Sequence, residues 1–394
     1  MQKYANLLAM PELDSVEKRL NPFGVLSKLA QETPIRYDSS RGCWDVFRYE
    51  DVQRILKDPQ AFSSVRSGAG GENLLFMDPP KHTQMRELVN KAFTPRAVQA
   101  LALRIQAIAD ELLDAGSGEE LDVVAGYATP LPVIVIAELL GAPAEDRADF
   151  KRWSDALVES AEDLTDEAFE RINRKRAAVL EELMHYFRAL LELRARQPKD
   201  DLISALLAAR VEGERLTERE LISFCILLLA AGNETTTNLI TNAVRVLTEQ
   251  PRLQEELTAS PEGVAGFIEE VLRYYPPIVS VGRVAARDVP LGDHTIRAGQ
   301  QVISWIGTAN RDEAKFTEPD RFDLHRKPNV HMSFGFGIHF CLGAPLARLE
   351  GKIAVQTLLE RYRELRLLPD QAIVPIPSTF VYGVKNYPVA GRRR

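Results

Sequence analysis

Cysteine is scarce: Cys43, Cys225 and Cys341 are the only three in 394 residues. Three thiols cannot staple a disulfide framework or build a cysteine-rich zinc site, and they suit a reducing compartment. Long apolar runs are also missing. The richest, Leu131–Leu140 and Phe224–Ala231, fall well short of the roughly 20 residues of a membrane span. The opening MQKYANLLAMPELDS lacks the apolar core of a secretory signal. A cytoplasmic chain with no membrane segment is expected. Positive charge is in deficit, with 49 Lys and Arg against 56 Asp and Glu, for a formal net charge of −7. Nucleic-acid binders are usually basic, so nucleic acid is set aside as a partner.

No Ser/Gly/Pro linker and no repeat divides the chain. Hydrophobic residues at 45% and charged residues at 27% allow a large core that can enclose a sizeable ligand. Short strands at 35–37 and 43–47 flank a turn. Loop residues cover 61–80, with Gly68, Gly70 and Gly71 near the middle. Helical periodicity follows at 81–93, 95–114, 131–140, 145–160, 165–197, 200–210 and 217–250. Thr217 and Glu220 have capping-box spacing, and Pro251 stops the long helix. That helix, roughly 50 Å long at 1.5 Å per residue, is apolar all round from Leu221 to Ala231, so it should be central and buried. A helix at 261–274, short strands at 281–287, 289–291, 295–297 and 300–305, a helix at 342–362 and terminal strands complete the pattern. The expected fold is mainly α with a minor β region. It forms one domain over 1–394, with a β-rich part at about 1–60 packed on the helical body.

The sharpest segment is Phe334-Gly-Phe-Gly-Ile-His-Phe-Cys-Leu-Gly343. Its glycines permit positive φ and close backbone approach to a flat ligand. Its aromatics exclude water. Helical sequence begins just after Cys341, so free N–H groups and the helix dipole there favour a thiolate. A shielded lone thiolate suits the axial position of a haem iron. A zinc site from His331, His339 and Cys341 is the rival, without an evident fourth ligand or a usual spacing. Cys43 and Cys225 read as small buried hydrophobes.

Phe334, Gly337, His339, Cys341 and Gly343 stand at the spacing Phe-x-x-Gly-x-His-x-Cys-x-Gly, which resembles the haem-binding signature of the cytochromes P-450. Three further segments follow that family's order. Glu270-Val-Leu-Arg273 resembles its Glu-x-x-Arg pair, which shares one helix face. Arg321, in Glu318-Pro-Asp-Arg-Phe322, is expected as third member of that buried structural lock. Ala231-Gly-Asn-Glu-Thr-Thr236 resembles the oxygen-activation motif, a polar block with a groove at Gly232 inside an apolar helix.

The resemblance implies a single large P-450 fold with a long central (I-type) helix and a haem-thiolate loop. It also implies a soluble bacterial-type monooxygenase that uses haem b and O2. Cys341 is the expected iron ligand. Thr235 would hydrogen-bond the dioxygen and Glu234 would relay protons; the family often has Asp where this chain has Glu. His82, Arg86, Arg283 and His339 would meet the haem propionates. Phe334, Gly335, Gly343 and Ala231 would pack around the cofactor. Electrons would come from NAD(P)H through a separate ferredoxin or flavodoxin and its reductase. Lys91, Arg96, Arg348 and Lys352 are candidates for docking that partner.

The substrate pocket would include Leu74, Leu75, Leu228, Ile278, Val279 and Phe380. An apolar lining implies a lipophilic substrate such as a fatty acid, terpenoid, steroid or macrolide, hydroxylated or epoxidised. Loop 68–71 could admit several shapes, and Arg66 could anchor a carboxylate. The expected state is a monomer. Alternatives are a biosynthetic haem-thiolate enzyme doing desaturation or coupling, and a non-catalytic haem-binding sensor. A sensor has no need of the Glu234–Thr235 pair.

Overall fold

A computed structural model describes residues 10–66, 72–116, 118–159, 161, 163 and 165–394. In chain order its helices begin with α1 (Val16–Leu20), α2 (Phe23–Glu32), α3 (Tyr49–Lys57), α4 (Lys81–Ala92), α5 (Pro95–Ala100), α6 (Ala102–Ala115) and α7 (Pro130–Leu139). Then come α8 (Arg147–Val158), α9 (Asp166–Arg196), α10 (Leu202–Ala208), α11 (Glu218–Glu249) and α12 (Arg252–Ala259). The last three are α13 (Val264–Tyr274), α14 (Ile306–Ala309) and α15 (Ala344–Arg361).

The strands are short: β1 (Ile35–Asp38), β2 (Cys43–Val46), β3 (Phe62–Ser63), β4 (Glu120–Asp122) and β5 (Val281–Ala285). They continue as β6 (Val289–Leu291), β7 (His294–Ile296), β8 (Gln301–Ser304), β9 (Tyr362–Leu367) and β10 (Pro388–Arg393). One sheet runs β1-β2-β8-β5-β3, a second β4-β10-β9, and β6-β7 is a hairpin. Antiparallel pairing of β5 with β8 sets Arg283 across from Val302.

α11 is the pillar. Its start is a capping box: the Thr217 N–H donates to Glu220 Oε2 at 2.8 Å, and the Glu220 N–H to Thr217 Oγ1 at 3.3 Å. Leu221, Phe224, Leu229 and Ile240 enter a cluster with side chains of α6, α7 and α9. Leu239, Ala243 and Leu247 enter another with α13 and α15. The helix thus serves two packed regions, as its all-round apolar sequence requires.

Several expectations change. The stretch called β-rich is mainly helical, with α1, α2 and α3 against the two short strands β1 and β2. α3 explains why: Tyr49, Val52, Ile55 and Leu56 are buried on one face at helical spacing. The single helix expected at 95–114 is two, α5 and α6, parted at Leu101, whose N–H bonds back three residues to Val98 O. Pro251 ends α11 but also starts α12, because a proline lacks only an N–H that no helix start needs. Gly68, Gly70 and Gly71 lie outside the described residues. No helix among the described residues is long and apolar enough to cross a membrane.

Candidate active site

The loop ahead of α15 is held by its own backbone. The Cys341 N–H donates to Phe334 O at 2.8 Å, closing the segment. Gly335 and Gly337 take positive φ of 74° and 69°. At Gly337 glycine is obligatory twice over, because a Cβ would also lie 2.5 Å from Leu56 O. Gly343 has negative φ and instead precedes α15 as its N-cap. Arg348 stacks over the Phe334 ring at 4.4 Å.

Cys341 is the one cysteine of the three that is exposed. Even so, burial is the main force on its thiol and pushes its pKa up, while the N–H groups of Gly343 and Ala344 and the charge of Arg86 pull it down. The sulfur is thus both reachable and partly desolvated. Coordination by a metal deprotonates such a thiol outright. Cys43 and Cys225 are wholly buried, as expected of bystanders.

Basic side chains gather beside this loop. The His82 and His339 rings lie 4.3 Å apart. His339 Nε2 meets Ser64 Oγ at 2.9 Å, and burial, then Arg283 and His82, push its pKa down to about 3. His82 is 2% exposed, yet neither ring nitrogen has a partner. Arg86 donates to Phe340 O at 2.8 Å, tying α4 to the cysteine loop. Burial, reinforced by Arg66, lowers Arg283 to about 10, and Asp78 opposes that shift. Arg66 itself donates to Gly282 O at 3.3 Å and lies over the Phe76 ring.

On α11 the polar block sits where the sequence places it. Ala231 is exposed in mid-helix, and the Thr235 hydroxyl donates back to Ala231 O at 2.6 Å. A Cβ at Gly232 would come 3.1 Å from Ile136 Cδ1 of α7, so the groove there is narrow. Glu234 is pushed up to about 7 by burial, with Arg176 of α9 opposing. Nothing in the sequence pattern marked Arg176.

The structural lock needs a correction. Glu270 and Arg273 are wholly buried and doubly hydrogen-bonded at 2.8 and 2.9 Å. The third member is Arg326, whose Nε meets Glu270 Oε1 at 3.0 Å. Arg321 turns outward and pairs with Glu318 on the surface. Only its carbonyl joins the cluster, accepting from Arg273 and Arg326. Phe322 dives into the core, and the turn after it, where Asp323 N–H also reaches Glu270, brings Arg326 back.

The pocket candidates divide. Leu75 and Phe380 are exposed at 46% and 44%, and Leu228 and Ile278 are half-buried. Leu74 and Val279 belong to the core instead. Adjacent residues of a tight turn cannot face one way, which separates Leu74 from Leu75. Val279 packs against the position where Gly307 leaves room. Among the docking candidates, Lys91 and Arg96 are exposed and Lys352 is half-buried. Arg348 is not a free cation, since it grips Glu269 through two hydrogen bonds of 2.7 and 2.9 Å.

Among the described residues no three His, Cys, Asp or Glu side chains converge on a metal position. His331 is engaged by Glu269 at 3.2 Å, which removes the zinc alternative. Haem does fit. A thiol receiving backbone N–H groups suits the iron, and the partnerless His82 nitrogens beside two arginines suit a pair of carboxylates.

Comparison with known proteins agrees. The family model described as Cytochrome P450 matches residues 138–390. The chain is 52% identical over 390 residues to Cytochrome P450 109 of Bacillus spizizenii, covering 98% of this chain and 96% of that one. It is 40% identical to the mycinamicin IV hydroxylase/epoxidase of Micromonospora griseorubida, covering 88% of each. The crystal structure of CYP109E1 from Bacillus megaterium in complex with corticosterone superposes with a TM-score of 0.89 at 43% identity, covering 95% of this chain and 99% of that one. With the Cys341 loop and the Glu–Arg lock in place, the chain belongs to the cytochrome P450 family of haem b monooxygenases, which take O2 and draw on NAD(P)H electrons.

Proposed function

We propose that this enzyme oxidises a lipophilic small molecule, by hydroxylation or epoxidation, in a cleft bounded by the Cys341 loop and the Gly232–Thr235 groove. Bound haem would supply the two-electron activation of dioxygen and the transfer of one oxygen atom. Cys341 would hold the iron, and His82, Arg86, Arg283 and His339 would hold the propionates. Phe334 and Phe340, whose rings lie 6.3 Å apart in the Cys341 loop, would help to shield the sulfur side from water. Leu75, Ala231 and Phe380 offer apolar contact to substrate. The steroid bound to a relative supports a substrate of that size and polarity.

The relay is assigned to α11. Thr235 Oγ1 would turn from the Ala231 carbonyl to hydrogen-bond the dioxygen. Glu234 would take up protons from solvent and pass them on at its carboxyl oxygens. The observation that carries this is the placement of Glu234 and Thr235 side by side in mid-helix at the exposed Ala231 turn, with burial pushing the Glu234 carboxyl up to about 7. An acid poised near the working pH both gives and regains protons readily.

Electrons would arrive from a ferredoxin or flavodoxin with its reductase. An acidic carrier would meet Lys91 and Arg96 at the surface of this acidic chain. We assign the enzyme to the cytoplasm, acting as a monomer. The test is Thr235→Ala in the haem-loaded enzyme, reading product and hydrogen peroxide per NADPH. Product should fall and peroxide rise with the spectrum of the resting enzyme unchanged. Unchanged coupling would remove Thr235 from the relay.

A further inference from the structure

Glu234 accepts no hydrogen bond among the described residues, so its aim depends on how α11 is held at that point. The residue before it is held firmly. Asn233 is 2% exposed, and its amide N–H donates to Ser154 Oγ of α8, which is wholly buried. Its carbonyl faces the hydroxyl of buried Thr237 at 3.2 Å, one turn further on, and that hydroxyl is also 3.1 Å from Ala128 O. A buried polar pair adds little net stability over an apolar pair of the same shape, but it fixes one geometry.

The other end of the connection is also visible. Ser154 lies one turn before the C-terminus of α8. There the Arg176 guanidinium of α9 donates to Leu157 O at 3.1 Å and Glu159 O at 3.0 Å. Arg176 is the charge felt by Glu234. The last turn of α8 therefore carries two ties, one to the neighbour of the acid and one to the cation facing it.

We propose that Asn233 and Ser154 are positioning residues for proton delivery: they latch α8 to α11 and so set where the Glu234 carboxyl points and how near Arg176 stands to it. This rests on the relay assigned to Glu234 above. Among the described residues, the charges facing Glu234 from the packed elements are Arg176 and, beyond it, Glu159 paired with Lys175.

The test separates position from stability. Asn233→Leu and Ser154→Ala each leave a buried polar group without its partner, so each alone should lower the melting temperature of the haem-loaded enzyme. The double variant removes both groups, and leucine fills what alanine vacates. Its melting temperature should return towards that of the parent. Its peroxide release per NADPH should nevertheless stay raised, roughly threefold or more, since small misplacements of a reacting group are costly. The assay uses a ferredoxin with its NADPH-dependent reductase and testosterone, or dodecanoic acid if testosterone gives no spin-state shift. The pH at which coupling is half-maximal should move upward as Arg176 loosens from Glu234. A double variant with parental melting temperature, coupling and pH profile would overturn the proposal. Glu234→Gln is the control. If it leaves coupling untouched, the relay reading falls and this inference with it. If it raises peroxide while the double variant does not, the relay stands and the latch alone is wrong.

Discussion

The two sides of the site are built on opposite rules. In the Cys341 loop and the lock behind it the polar groups are spent on the protein itself, while the neighbouring His82 nitrogens stay open. Phe334 O takes the Cys341 N–H, Phe340 O takes Arg86, and Glu270 is shared by Arg273, Arg326, Asn329 and the Asp323 N–H. On the α11 side, Glu234 has no hydrogen-bond partner among the described residues, and Thr235 bonds only its own helix. The difference teaches what each side is for. A ligand loop must not move, so its donors and acceptors are satisfied internally. The relay proposed for α11 would have to exchange protons, and groups kept available for that come at a cost in stability.

Breaking the rigid side should have the largest effects. Cys341→His should abolish the red-shifted absorption band of the reduced, carbon-monoxide-bound enzyme. Cys225→Ala and Cys43→Ala should keep that band. Next comes the lock, where Arg326→Leu leaves Glu270 short of a charge partner deep in the protein. A loss of about 3–5 kcal/mol is expected, read by denaturant unfolding and by haem content. Arg321→Leu should change stability by no more than about 0.5 kcal/mol, as for an exposed pair. Equal effects of the two would erase the correction made to the lock.

The available side should respond in its pH dependence before its stability. Glu234 has a folded pKa raised from 4.5 to about 7, so the folded state holds this proton where the unfolded state has released it. Its contribution to stability is complete below about 4.5 and declines as pH rises through the window up to about 7. Glu234→Gln should flatten that part of the stability profile, measured by unfolding between pH 4.5 and 7.5. A profile as steep as the parent's would show that the carboxyl is not desolvated. At the far end of the same helix only stability should respond, and modestly. Thr217→Ala loses one half of the capping box and should cost about 1 kcal/mol. Coupling measured as product per NADPH should stay the same, because the cap lies far along α11 from Thr235.

The lock and the relay were not equally legible in the sequence. Glu270 and Arg273 are three residues apart on a helix, so their contact follows from helical geometry alone. Arg326 reaches the same carboxylate only after a turn whose path no periodicity encodes, and Arg321 stood in its place. The same limit hid Ser64 behind His339, Glu269 behind Arg348 and Ser154 behind Asn233. Each pairs residues far apart in the chain. Among the pocket candidates, apolar character could not separate Leu75, which is exposed, from Leu74, which is core.

What the sequence by itself determined was local and covalent. It settled the single cysteine ahead of a helix start, the glycines that let its loop fold back, the capped central helix and the polar block within it. These depend on neighbours a few residues away, through allowed φ and ψ, helical period and capping. The tertiary structure alone decided which arginine completes the lock, which of the pocket candidates are exposed and which are core, and how α8 and α9 bear on Glu234. Those choices are made by packing between distant segments, where one partner's position follows from the whole chain's path.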